Sequence, residues 1–77
     1  MNAPRRKQLR EILDELKGLK ERVEFLMDEE QEALDNILEN LQGSERYETA
    51  SNAVDSLGYA ADSLEEAYSS IEEAIEG

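Results

Sequence analysis

The chain holds no cysteine and no histidine in its 77 residues. Without cysteine there is no disulfide framework and no thiolate metal site, and nothing implies secretion. Without histidine the Ser–His and Cys–His arrangements of nucleophilic catalysis cannot be assembled, nor the Glu-x-x-His ligand motif of di-iron bundles. No apolar run is longer than the three residues Phe25-Leu26-Met27, so no stretch reads as a membrane span. The opening MNAPRRKQLR is basic but carries no apolar stretch of the signal-peptide kind, and the expectation is a cytoplasmic protein. Phosphate-loop, zinc-finger and Ca²⁺-loop spacings are also missing. The chain is therefore expected not to be an enzyme and to need no cofactor.

Positive charge is scarce and one-sided. Residues 1–22 carry seven bases against four acids, whereas residues 23–77 carry Arg46 alone against sixteen acids. With a net charge of −12, direct nucleic-acid binding and docking on anionic membrane are expected to be excluded. A protein with a basic surface is the partner this charge favours.

What is present is helical periodicity. Steps of three and four from Leu9 reach Ile12, Leu16, Leu19, Val23, Leu26, Glu30, Ala33 and Ile37, a heptad seam with one polar fault. A flanking row of Leu13, Met27, Leu34 and Leu41, interrupted by Lys20, widens the stripe. From Tyr47 the same step gives Ala50, Val54, Leu57, Ala61, Leu64, Tyr68, Ile71 and Ile75 without a fault. Beside this seam an alanine recurs every seventh residue, at Ala53, Ala60, Ala67 and Ala74, and reads as an edge where a neighbouring helix approaches closely. Between the two patterns Gly43 suits a left-handed helix end, Ser44 an N-cap, and Glu45 and Glu48 a first helical turn.

The expectation is an all-α single domain, 1–77: an antiparallel helical hairpin with helix 1 at about 4–41, a turn at 42–44 and helix 2 at about 45–76. Pro4 fits the first turn of helix 1. The basic start of helix 1 then falls beside Glu72, Glu73 and Glu76. Two helices meet along one line, and these stripes are wider than one line covers. The hairpin is therefore expected to pair into a homodimeric four-helix bundle or coiled coil. The self-association seam comprises Leu16, Leu19, Val23, Leu26 and Ile37 on helix 1, with Val54, Leu57, Ala61, Leu64, Tyr68 and Ile71 on helix 2. A helix donated by a different partner is the competing solution.

Carboxylates at helical spacing, Glu29 with Glu32 and Asp35 with Glu39, have the pattern of a divalent-metal or acid–base pair. They fall on outward heptad positions, and the expectation is a solvated face with no metal. Glu30 lies in the seam. Either the seam drifts outward and leaves it in water, the simpler reading, or Glu30 uses the space over Gly58 in a polar layer. Phe25 and Tyr59 fall on outward positions, near Asp28, Glu29, Glu32 and Asp62, and these six residues are the candidate partner-binding patch: aromatic anchors within an acidic rim.

EEQEALDNILENLQGSERYE, residues 29–48, resembles a stretch of short acidic proteins of Gram-positive bacteria and their phages, with its LDN, LQ and SER elements around the turn. The likeness extends to the basic start RRKQLREILDEL and the heptad AADSLEEA. That family pattern carries a proline where this chain has Leu38, so a kink there is not carried over. The resemblance implies no activity. It does imply a phage or prophage setting in a bacterial host cytoplasm, where small acidic proteins bind and block host proteins. Two functions from different classes follow. One is an inhibitor or adaptor that covers a basic, nucleic-acid-binding surface of a host protein. The other is a structural or assembly protein whose role is homo-oligomerisation.

Overall fold

A computed structural model describes residues 1–37 and 43–77, and it is an antiparallel hairpin of two helices, α1 (Ala3–Asp35) and α2 (Glu45–Glu76). The helices pack against each other along a rod of 59 × 15 × 12 Å. Each helix begins on a side-chain cap. Asn2 Oδ1 accepts from the Arg5 N–H at 2.9 Å, with Pro4 in the first turn, where its missing donor leaves nothing unsatisfied. Ser44 Oγ accepts from the Tyr47 N–H at 3.3 Å, and Glu45 and Glu48 occupy the positive end of the α2 dipole.

The end of α1 lies earlier than expected. The helix stops at Asp35, not near residue 41. There the Asn36 N–H closes the last regular turn on the Glu32 carbonyl, and the Ile37 N–H reaches only back to Leu34. That tightened final bond satisfies a carbonyl the helix would otherwise leave open. The expected helical residues 38–41, Gln42 of the expected turn and the Asp35–Glu39 pair's second member lie outside the described residues. Gly43 does not take the left-handed conformation, since no described glycine has positive φ.

Ending α1 earlier moves the hairpin's centre toward its N-terminal side and resets the register. Gly58 stands opposite Met27, whose Sδ lies 3.8 Å from where a Cβ on Gly58 would be. It does not stand opposite Glu30. Half-buried Glu30 instead shares a shallow hollow with Glu45, Arg46, Thr49, Ala50 and Ala53. The polar layer over Gly58 is thus absent.

The second correction concerns which flank of α1 faces α2. The row Arg6, Leu13, Lys20, Met27, Leu34 is turned inward together with Leu9, Leu16, Val23, Glu30 and Ile37; Leu13 and Leu34 are buried and the others half-buried. The row placed in the seam by its stronger apolar character is left out: Ile12, Leu19 and Leu26 are 41, 46 and 55 % exposed. The inward row buries Leu13 and Leu34, and its two bases find acceptors on α2. Lys20 Nζ lies 3.0 Å from Glu65 Oε2, and Arg6 Nε donates to the Ile75 carbonyl at 3.2 Å. Their methylene stems meanwhile cover the seam. On α2, Ala61 is buried and Val54, Leu57, Leu64, Tyr68 and Ile71 are half-buried within the hairpin.

Candidate functional site

The antiparallel register gives the hairpin two unlike flanks. One is polar. Along it Lys20 lies between Glu24, 3.8 Å away one helical turn on, and Glu65 across the seam. The hydrogen bond to Glu65 first, and then the charges of Glu24 and Glu65, hold the Lys20 ammonium above its ordinary value of 10.5. Leu16, Leu64 and Tyr68 complete a groove of about 280 Å³ here with Lys17, Lys20, Glu21, Glu24 and Glu65. The sequence signal for it was Lys20, which shows in the apolar row only as an interruption, with a glutamate four residues on.

The opposite flank bears the rows one position beyond the seam, Ile12, Leu19, Leu26 and Ala33 on α1 and Ala53, Ala60, Ala67 and Ala74 on α2. In an antiparallel pair these rows fall on the same side, as the hollow shared by Glu30, Ala50 and Ala53 shows near the turn end. Ala60, Ala67 and Ala74 are exposed, so the alanine edge is not consumed by the hairpin itself.

The six patch residues are all at the surface, but they do not converge. Phe25, 62 % exposed, lines a hollow with Gly18, Glu21, Arg22 and Leu26. Tyr59, 72 % exposed, lines another with Met27, Val54, Asp55, Gly58 and Asp62. The Met27–Gly58 opposition sets the two rings at about the same height, each on its own helix, and their hollows share no residue. Asp62 accompanies Tyr59. Asp28, Glu29 and Glu32 are exposed on α1 but line neither hollow. The hollow beside Phe25 includes Glu21 and the base Arg22, while Asp28 and Glu29 follow three and four residues on along the same helix, so the acidic rim expected there is mixed in sign.

No described polar or charged side chain is buried. The carboxylates stand in water, where their charge is presented to whatever approaches rather than held against a reacting group. Among the described residues no three acids are placed to share a metal ion, and Asp35 of the carboxylate run accepts from Gln31 Nε2 at 2.9 Å. No described helix is long and apolar enough to cross a membrane. No protein-family model matches the chain, nor does any curated protein or solved structure.

Proposed function

We propose that the chain is a small acidic protein-binding module that acts by docking on a basic surface of another protein, as an inhibitor or adaptor of the phage or prophage kind. One observation carries this reading. Of the sixteen acids from residue 23 onward, Glu24 and Glu30 are half-buried, Glu39 is not described and the rest are exposed, and Arg46 is the only base among them. Such a rod raises the local concentration of a cationic partner and repels polyanions. Rows of carboxylates on a helical rod also imitate the charge of the phosphate backbone that a nucleic-acid-binding protein expects. The surface being covered is therefore proposed to be one that binds nucleic acid. Phe25 and Tyr59 serve as two separate apolar anchors on either helix rather than one composite anchor.

The test is capture of partners from a bacterial host lysate on the immobilised protein, ranked by salt sensitivity, followed by competition with duplex DNA. The reading expects a basic partner released between low and moderate salt and displaced by DNA. Partners indifferent to salt and to DNA would refute the mimicry.

A further inference from the structure

We infer that the apolar flank is the interface for a second copy of this chain, and that the two-fold axis relating the copies runs along the rod rather than across it. This goes beyond the docking of a basic partner, which uses the acidic outer faces.

The flank is apolar over nearly its whole length. Between Arg5 and Arg46 at its ends, the two rows contain only Ile12, Leu19, Leu26, Ala33, Ala53, Ala60, Ala67 and Ala74 among the described residues. Among the described residues the hairpin alone buries just Leu13, Leu34 and Ala61, and it exposes 5930 Å², against roughly 4700 Å² for a compact monomer of 8.7 kDa. The 59 × 15 Å outline of the face is on the order of the 800 Å² per partner that a stable interface covers.

Shape and charge both identify the occupant and the axis. One helix offers large aliphatics and the other alanines, so the face complements itself when α1 of one copy lies over α2 of the other. A two-fold axis along the rod does this. It also keeps each helix at the height it has in its own hairpin, which sets Leu26 over the partner's Ala60, Leu19 over the partner's Ala67 and Ile12 over the partner's Ala74. A two-fold axis across the rod would instead lay α1 on α1 and α2 on α2. Leucines would then meet leucines, alanines would leave a gap, and two α2 helices carrying nine acids and one base each would lie side by side. The lengthwise axis puts the basic first half of α1 beside the acidic second half of the partner's α2. Every helix then has antiparallel neighbours in a closed four-helix bundle.

Because the chain has no cysteine, cross-linking reads the axis directly. A mixture of Leu19→Cys and Ala67→Cys chains should form disulfide-linked pairs under mild oxidation, while Leu19→Cys alone should not. Ready linking of Leu19→Cys to itself, with no Leu19→Cys chain linked to an Ala67→Cys chain in the mixture, would overturn the lengthwise axis. Light scattering of the unaltered protein at about 100 μM should give twice the chain mass. Ala67→Glu, at a site exposed in the hairpin, should keep its circular dichroism yet raise the dimer dissociation constant about a hundredfold or more, since a carboxylate would enter an apolar interface. Gly18→Ala, off this flank, should leave the mass unchanged. A monomeric parent, or an Ala67→Glu variant as dimeric as the parent, would overturn self-association through this face. Ala67→Glu retains every acid of the proposed docking surface, so partner capture with it separates failure of this inference from failure of the docking reading.

Discussion

Gly58 and Gly18 sit in helix interiors where nothing demands the absence of a side chain. At Gly58 an added Cβ would stand at ordinary contact distance from Met27 Sδ, and at Gly18 it would meet nothing within 4 Å. Alanine at either site should therefore stabilise the protein by about 0.5–1 kcal/mol, through helix propensity and a less flexible unfolded chain. In a domain of this size that is a rise in Tm of roughly 2–8 °C. A fall in Tm for Gly58→Ala would mean that the helices approach more closely there than the structure has them. Lys20 makes a pH prediction. Its folded pKa is raised, so its pairing with Glu65 and Glu24 contributes fully below pH 10.5 and is lost as pH climbs through the folded value above that. Thermal stability between pH 9 and 11.5 should decline more steeply for the parent than for Lys20→Met, which lacks the titrating group; parallel curves would show that the ion pair adds nothing.

At the scale of the helices, the α2 seam was legible because its heptad has no fault and its flanks are alanine or polar, so only one face qualified. α1 offered two adjacent apolar rows, and the more apolar one was placed in the seam. On the inward side Arg6 and Lys20 have partners on the other helix, which cannot be seen from local periodicity. The misplaced end of α1 had a similar origin. Its apolar steps continue through Ile37 toward Leu41, and nothing in the composition of residues 33–37 announces a stop. The patch of Phe25 and Tyr59 failed to converge because matching height on two helices does not fix matching direction. The corrected seam predicts that Leu13→Ala costs about 2 kcal/mol or more in denaturant melts, as for a buried leucine. The Arg6 bond to the Ile75 carbonyl predicts that Arg6→Ala costs about 1 kcal/mol, since it holds a charge at the end of α2, whose last turn has no base of its own. Hydrogen exchange should then rise selectively in the last turns of α2. Uniform exchange across both helices would mean that Arg6 clips nothing.

For the molecule as a whole, charge is a destabilising term. A net −12 on a rod this thin is self-repulsion relieved at few points, chiefly Lys20 with Glu24 and Glu65. Raising NaCl from about 20 to 500 mM shortens the screening length from more than 20 Å to less than 5 Å, and it should raise the Tm despite weakening those pairs. A Tm that falls with salt would place the balance on the side of the attractive contacts.

The two ends of the rod also differ, and this bears on how the molecule travels. At the chain termini Arg5, Arg6, Lys7 and Arg10 stand near Glu72, Glu73 and Glu76, and the charges nearly cancel. At the turn Asp28, Glu29, Glu30, Glu32, Asp35, Glu45 and Glu48 face only Arg46. A needle weighted in this way experiences a torque in the field of a cation-rich surface. It swings turn-first as it nears that surface, so the residues around Ser44 arrive before the seam, the aromatics or the basic tail.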